Sequence, residues 1–263
     1  LVSPASALQV MVRRQPVQVA VRCRPSGSRD APGGGCVTVD GDAVKVRSGE
    51  EEAAFTFDSY FGPEAEQSDV YDALVTSPME ALFEGYNSTI LAYGQTGSGK
   101  TFSMVGSEDD PGIIPRFSRE LFERASVHEG AKVHASYLQL YNEAFMDLFE
   151  PLSGADLRLR RSETRGVYVQ GLSEKRLHSA GELARLLESG EQNRVVADTT
   201  KNAESSRSHV VLTLSLTMPA VEGRGKFVTS RAALVDLAGS ERAKDLEGGA
   251  ALRRQESIAI NQS

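Results

Sequence analysis

One glycine-rich segment has the residue types and the spacing of a phosphate-binding loop. Residues 94–101 read Gly-Gln-Thr-Gly-Ser-Gly-Lys-Thr, which fits the pattern GxxxxGK[ST]. Backbone N–H groups must wrap closely around phosphate oxygens, and glycine accepts the required torsions without a clash at Cβ. Lys100 would reach the β- and γ-phosphates, and the Thr101 hydroxyl would bind Mg²⁺. The pattern therefore predicts a nucleotide site, with an ordinary Gly/Ser-rich turn as the alternative.

A second segment could sense the terminal phosphate. Asp236 follows an apolar run, and Gly239 comes three residues later, which gives the form DxxG. A carboxylate in this position can hold an Mg²⁺-bound water, while the glycine N–H can bond the γ-phosphate. An aspartate before a glycine turn is by itself ordinary turn chemistry. The DxxG pattern indicates a phosphate sensor here because the same chain contains the phosphate loop.

The elements around these segments predict an α/β layer architecture. An apolar run at residues 89–93 predicts a buried strand that leads into the phosphate loop. We expect one helix capped by Ser68 that runs to Leu82 with an interruption near Pro78, one after Pro115, and one over residues 182–196. The other predicted strands cover residues 17–21, a meander of 36–46 and 53–57 broken at Gly41 and Gly49, and then 133–140, 210–218 and 232–237. The last two are apolar enough to be buried strands of one sheet.

Composition narrows the class of protein. With 263 residues and 40% hydrophobic content, one large α/β domain is favoured. No run of eighteen apolar residues suits a membrane span, and two cysteines argue against a disulfide framework or a zinc site. A net charge of −7 argues against nucleic acid as a partner, so an acidic partner would need a local basic patch. We interpret residues 1–16 as a flexible lead-in and 17–263 as the domain.

A polar cluster lies between the helix predicted at residues 182–196 and the strand predicted at 210–218. Asn202 is followed by Ser205-Ser-Arg-Ser-His209, and this pattern shares the chain with the phosphate loop and with Asp236-Leu-Ala-Gly-Ser-Glu-Arg242. Together they resemble the motor domain of a kinesin. Further matches, in family order, lie at residues 22–25, 55–58, 85–87, 112–115, 137–143, 166–169 and 193–194.

The resemblance implies a fold and an activity. The expected fold is of P-loop NTPase type, with a central mixed, mostly parallel sheet flanked by helices on both faces. The expected activity is hydrolysis of ATP with Mg²⁺, coupled to microtubule binding and movement, which implies a place on the cytoplasmic microtubule cytoskeleton. In family terms the chain stops part-way along the helix after the second switch, so we expect the C-terminal part of the motor core to be missing. A kinesin-like module that binds nucleotide or tubulin without moving is the alternative. A GTPase switch is a weaker one, because no Asn-Lys-x-Asp guanine motif occurs.

The resemblance also implies roles for individual residues. The adenine pocket would be lined by Arg22, Arg24 and Pro25, with Phe102 as its aromatic wall. The phosphates would be bound by Gln95, Thr96, Gly97, Ser98, Gly99, Lys100 and Thr101. Magnesium would be held by Thr101 and Ser206, and through water by Asp236. The catalytic group would comprise Asn202, Ser205 and Ser206 of the first switch, Gly239 of the second, and Arg207 paired with Glu241 when ATP is bound.

His209 is a tempting general base. Phosphoryl transfer depends mainly on positioning and charge stabilisation, so no strong base is required. A histidine that opens a buried strand is more often a hydrogen-bonded structural residue. We therefore favour the structural role.

A basic segment is the candidate for track binding. Residues 157–161 alternate apolar and basic side chains, which predicts a strand with one packed and one cationic face. A solvated edge strand is an equally good reading of the residues alone. In a kinesin this region lies against acidic tubulin, which favours track binding. By the same resemblance, Lys244, Arg253 and Arg254 would form the other half of that interface.

Overall fold

The computed structural model describes residues 17–26, 36–40, 43–163, 166–201, 207–220 and 227–241. The chain divides into two compact units, residues 1–64 and 65–263. The described helices are α1 Gln67–Phe83, α2 Lys100–Met104, α3 Ile113–Ser126 and α4 Ala180–Lys201. The described strands are β1 Ala20–Arg22, β2 Val37–Asp40, β3 Ala43–Ser48, β4 Glu51–Thr56, β5 Ser59–Phe61, β6 Ser88–Ala92, β7 Lys132–Tyr141, β8 Ala144–Asp147, β9 Arg158–Ser162, β10 Gly166–Gln170, β11 Lys175–Leu177, β12 His209–Pro219 and β13 Phe227–Asp236.

The N-terminal unit contains the predicted meander. Strands β2, β3 and β4 pair antiparallel in chain order, and Gly49 turns between β3 and β4 with a φ of 64°. Gly41 lies outside the described residues. The strand predicted at 17–21 is observed as the shorter β1, which pairs in parallel with β5, a strand that the sequence pattern did not predict.

The second unit is built on a mixed sheet. Its strand order is β11-β7-β12-β13-β6, with β8 beside β7. The α/β class and the mixed sheet are confirmed. The expected predominance of parallel pairing is wrong for the described strands of this sheet, because within it only β13 and β6 run in parallel. The reason lies in the connections. Strands β12 and β13 are joined by a short connection and pair from Val210 opposite Asp236 to Pro219 opposite Phe227, and a connection of that length requires antiparallel strands.

The described helices α1, α3 and α4 form a layer on one face of this sheet. The core of that face contains Leu212, Leu214 and Leu234, each at most 1% exposed. Ser230 Oγ on the same face donates to the Leu82 carbonyl oxygen at 2.6 Å, which places the end of α1. The hydroxyl of Tyr137, which is paired with Leu212, donates to Glu191 and so places α4 there as well. Alternate residues of β12 on the opposite face are half-buried. Helices on that second face stay a prediction.

Helix α1 differs from its predicted form in two respects. Its N-cap is Glu66 rather than Ser68, and the Glu66 N–H donates to Asp69 Oδ2 at 2.9 Å. The predicted interruption at Pro78 is wrong, because the helix continues to Phe83. Proline removes one helical hydrogen bond, but Val75 and Met79 are fully buried on either side of it, so packing keeps the axis continuous.

The other two predicted helices are confirmed with extended ends. Helix α3 begins at Ile113, so Pro115 lies in the first turn, where its missing N–H costs no hydrogen bond. Helix α4 extends beyond the predicted span at both ends. Among the described helices, none combines the length and the apolar character needed to cross a membrane.

Candidate nucleotide site

The phosphate loop follows the strand that pairs in parallel with β13. Ala92 of β6 lies opposite Asp236 at the end of β13. Both segments that could bind a nucleotide therefore leave the sheet at the same edge. The prediction that this strand is buried was wrong, since Leu91 is 57% exposed. Strand β6 is the last strand of the described sheet, and Leu91 is on the face opposite the helix layer.

The loop has the torsions that the pattern predicted. Gly97 has a φ of 78° and Gly99 a φ of 95°, values that side-chain-bearing residues rarely adopt. A Cβ at either position would meet nothing within 4 Å, so torsion rather than crowding requires glycine here. Lys100 Nζ donates to the carbonyl oxygens of Gly94 at 3.0 Å and Gln95 at 3.1 Å. The ammonium group is thus held over the loop.

Two side chains whose oxygen atoms could bind a metal, Thr101 and Asp236, contact each other at the phosphate loop. The Thr101 hydroxyl donates to Asp236 Oδ2 at 2.6 Å. The other carboxylate oxygen, Asp236 Oδ1, is buried and has no hydrogen-bond partner among the described residues. Magnesium prefers oxygen ligands and is often bound through one or two carboxylates with water. The two residues therefore fit the predicted Mg²⁺ site.

The electrostatics of Asp236 agree with this fit. Burial raises the pKa of the Asp236 carboxyl above its ordinary value, and it outweighs the opposing effects of the Thr101 hydrogen bond and the positive charges of Lys100 and Arg194. Burial disfavours the charged form, whereas a nearby cation favours it. A divalent cation next to the carboxylate would offset the cost of burying its charge.

The DxxG segment, predicted to be the second switch, lies directly along the phosphate loop. The N–H of Leu237 donates to the Ala92 carbonyl oxygen at 3.2 Å, and that of Ser240 donates to the Gly94 carbonyl oxygen at 3.1 Å. The Ala238 N–H donates to His209 Nδ1 at 3.0 Å, which gives that histidine the structural role favoured from its position. Strand β12, the DxxG segment and the loop are thereby linked.

Glu241 makes a contact that the sequence did not predict. Its carboxylate accepts a hydrogen bond from the Thr96 N–H at 2.9 Å and another from the Thr96 hydroxyl. Burial acts to raise the pKa of Glu241, but the hydrogen bonds from Thr96 and the charge of Lys100 outweigh it, and the pKa is lowered. Gly239 leaves room for this arrangement, because a Cβ there would overlap the Glu241 carboxylate and the Thr96 hydroxyl.

Comparison with known proteins identifies the family. Residues 22–263 match the family model for the kinesin motor domain. The chain belongs to this family. It is 39% identical over 261 residues to the chromosome-associated kinesin KIF4 of Xenopus laevis, covering 94% of this chain and 21% of the relative. It is 36% identical over 258 residues to the kinesin heavy chain of Syncephalastrum racemosum, covering 94% of this chain and 27% of the relative. The chain therefore spans much less than half of these relatives.

Solved kinesin structures share the fold. A fast kinesin superposes with a TM-score of 0.84 at 34% identity, covering 92% of this chain and 71% of the other. KIF14 with ADP, in complex with a microtubule, superposes with a TM-score of 0.79 at 33% identity, covering 94% and 75%. Both structures are more than 30% identical to this chain in sequence, and their similar folds agree with the family match.

The residues predicted to line a kinesin adenine pocket lie in both units. Phe102, on α2, is 45% exposed, and its carbonyl oxygen accepts a hydrogen bond from Gln67 Nε2 at 2.6 Å. Gln67 is only 1% exposed, and no sequence signal pointed to it. In the N-terminal unit Arg22 is half-buried at the end of β1, and Arg24 and Pro25 are exposed just beyond it. Their contact with adenine stays a prediction.

The segment predicted to be the first switch falls between two described elements. Asn202, Ser205 and Ser206 lie outside the described residues, whereas Arg207 is half-buried just before β12. Helix α4, which ends directly before the switch, is fixed to the sheet through the Tyr137–Glu191 hydrogen bond. On the same stretch of α4, Arg194 Nη1 lies 3.2 Å from Glu191 Oε2, and Asn193 Nδ2 donates to the Leu148 carbonyl oxygen at 2.8 Å. The pairing of Arg207 with Glu241 stays a prediction.

The basic segment forms one strand of a two-stranded hairpin. Strands β9 and β10 pair antiparallel, which confirms the predicted strand. The predicted packed face is wrong, since Leu159 is 58% and Val167 66% exposed. Among the described strands, β9 and β10 pair only with each other, so they are not part of the sheet that the helix layer covers. Lys244, Arg253 and Arg254 lie outside the described residues.

Proposed function

We propose that this chain binds Mg·ATP at residues 94–101, hydrolyses it, and couples the reaction to microtubule binding and movement. The observation that carries the proposal is the hydrogen bond of 2.6 Å between the Thr101 hydroxyl and Asp236 Oδ2. It joins the phosphate loop to the end of β13 and leaves the second carboxylate oxygen uncommitted in the described part of the chain. A plain Gly/Ser-rich turn has no need of such a partner.

Phosphoryl transfer requires that the reacting groups are positioned and that the charge on the phosphates is neutralised. Lys100 supplies an ammonium group over the loop, which attracts the β- and γ-phosphates. Thr101 and Ser206 would hold Mg²⁺, with Asp236 acting through a water, and the bound ion would neutralise charge on the phosphates. Arg207 and Glu241 pair across the two switches and enclose the attacking water, while Gly239 detects the γ-phosphate.

Coupling to a microtubule is supported by charge and by likeness. Arg158, Arg160 and Arg161 are exposed on the β9–β10 hairpin although the chain as a whole carries a net charge of −7. A local cluster of this kind attracts an acidic surface that the rest of the molecule does not. The KIF14 structures were obtained in complex with a microtubule. We place the working protein on the microtubule cytoskeleton of the cytoplasm.

A steady-state ATPase assay with and without microtubules tests the proposal. Turnover that requires Mg²⁺ and rises with microtubule concentration is the expected result. Filament gliding on surface-bound protein then separates a motor from a module that binds nucleotide or tubulin without moving. Turnover that ignores both Mg²⁺ and microtubules would overturn the assignment.

A further inference from the structure

The contact between Glu241 and Thr96 places a carboxylate where the loop is built to receive a phosphate. The Thr96 N–H is one of the backbone donors of residues 94–101, and it donates to Glu241 Oε2 at 2.9 Å. The Thr96 hydroxyl donates to the second oxygen, Oε1. A carboxylate with two oxygens held by two adjacent donors reproduces the way in which such loops bind an anion.

The surroundings favour a negative charge at this point. Lys100 Nζ lies over the loop, where it donates to the carbonyl oxygens of Gly94 and Gln95, and its charge helps to lower the pKa of Glu241. Lys100 is also the residue predicted to attract the β- and γ-phosphates. The carboxylate therefore accepts a hydrogen bond from the backbone of the phosphate loop and lies in the field of the cation that a nucleotide would require.

The two residues before Glu241 help to hold its carboxylate at Thr96. The Ser240 N–H donates to the Gly94 carbonyl oxygen at 3.1 Å, which ties the residue before Glu241 to the start of the loop. Gly239 lacks the Cβ that would overlap the Glu241 carboxylate. The glutamate side chain thus lies over Thr96 on a backbone that is itself hydrogen-bonded to the loop.

We propose that Thr96 is a positioning residue that docks the Glu241 carboxylate on the phosphate loop, where it stands in for a phosphate and must be displaced when ATP binds. The inference rests on the proposed function and adds a competition to it. Glu241 would leave Thr96 before it could pair with Arg207. A ligand that must first displace an internal group has an apparent affinity reduced by the fraction of molecules in the docked state.

Binding measurements on matched variants test the competition. Thr96→Val keeps the shape of the side chain but removes the hydroxyl, and Glu241→Gln removes the charge. Both should lower the Kd for a fluorescent ATP analogue about threefold to tenfold, because a smaller fraction is docked. Thr96→Ser keeps the donor and should lose the gain. Thr76→Val, which removes an exposed hydroxyl bonded to the Asp72 carbonyl oxygen in α1, is the control for the substitution itself.

The type of nucleotide separates competition from a loosened fold. The gain should be large for the triphosphate and small for AMP, because only the longer phosphate chain reaches the docked carboxylate. An equal gain in affinity for both nucleotides would overturn the proposal. So would an unchanged Kd for the ATP analogue in Thr96→Val or in Glu241→Gln. A wild-type chain without affinity for Mg·ATP would instead overturn the proposed function and the docking proposal with it.

Amide hydrogen exchange gives a readout that needs no nucleotide. The Thr96 N–H should exchange slowly in the wild type, because it is hydrogen-bonded to Glu241. Exchange of this amide should become faster in Glu241→Gln and stay slow in Thr76→Val. Rapid exchange at Thr96 in the wild type would overturn the docked state.

Discussion

The phosphate loop and the β9–β10 hairpin both present basic side chains, but their partners lie at very different distances along the chain. Thr101 and Thr96 contact Asp236 and Glu241, which are 135 and 145 positions away. In the hairpin, Arg158 pairs with Asp156, and Arg160 Nε donates to Gln170 Oε1 at 3.0 Å, ten positions away. The loop is therefore assembled by the whole fold, whereas the hairpin carries local contacts.

The hairpin is nevertheless anchored at its base. Asp147 is 3% exposed and accepts hydrogen bonds from the N–H groups of Phe149 at 2.9 Å and Ser173 at 2.7 Å, on either side of the hairpin. An exposed pair of strands on a fixed base suits recognition of a charged surface by several weak contacts. A loop with interlocked partners suits chemistry that depends on a single geometry. The difference predicts large effects from single changes in the loop and small, cumulative effects in the hairpin.

The largest effect is expected from Lys100→Ala. Loss of the ammonium removes charge-assisted hydrogen bonds to the phosphates, and the affinity for Mg·ATP should fall about tenfold to a hundredfold. Titration with a fluorescent ATP analogue measures it. Lys45→Ala, which removes a lysine paired with Asp40 in the N-terminal unit, should leave the Kd unchanged. Equal affinity in wild type and Lys100→Ala would remove Lys100 from the site.

Asp236→Asn should act through the metal. The neutral amide keeps the size of the side chain but holds Mg²⁺ less well, so the Mg²⁺ concentration that half-saturates nucleotide binding should rise roughly tenfold. A magnesium titration at fixed nucleotide measures the change. Asp109→Asn, an exposed aspartate in the loop after α2, serves as control. An unchanged magnesium dependence would contradict the assignment of Asp236.

Local chemistry explains what the sequence could predict at the site. The glycine torsions, Lys100 and Thr101 follow from what a phosphate requires, so a short pattern was enough to find them. The contact between Glu241 and Thr96 joins two segments far apart in sequence, and neither carries a periodicity that reveals the other. The hydrogen bond from Gln67 to Phe102 was missed for the same reason.

The errors in the fold have a related cause. An apolar alternating strand looks the same whether its neighbours run parallel or antiparallel, so the pattern within β7, β12 and β13 did not reveal their direction of pairing. For β12 and β13 it follows from the short connection, which became clear only once the ends of both strands were known. Alternation in β9 predicted one packed face, but it contains no information about whether another layer covers Leu159. Helix α1 passes through Pro78 because distant core residues hold both of its halves, which local propensity does not record.

A double-mutant cycle tests whether the two switches close by a charge pair. Arg207→Glu and Glu241→Arg should each reduce ATP hydrolysis, and their combination should recover part of the loss, with a coupling energy of about 1 kcal/mol within the usual 0.5–3 kcal/mol for contacting residues. Single-turnover hydrolysis is the measurement. Strictly additive losses would argue against a direct pair. They would leave the docking of Glu241 on Thr96 as its principal contact.

The smallest effect for each residue is expected in the hairpin. Arg158, Arg160 and Arg161 are exposed, and exposed charges are strongly screened by salt. Replacing all three with glutamine should weaken microtubule binding several-fold at low salt, reduce the dependence of the affinity on salt, and leave the turnover of ATP without microtubules nearly unchanged. Co-sedimentation at several salt concentrations measures the first two effects.

A control of equal charge makes this hairpin prediction specific. Arg47, Arg119 and Arg185 are also exposed but are not part of the hairpin; they belong to β3, α3 and α4. Replacing these three with glutamine changes the net charge by the same amount and should alter microtubule affinity much less. Similar losses in both triple variants would mean that overall charge, rather than the hairpin surface, governs binding. The hairpin would then be an ordinary solvated edge. Of the two regions compared, only the phosphate loop would be a binding site.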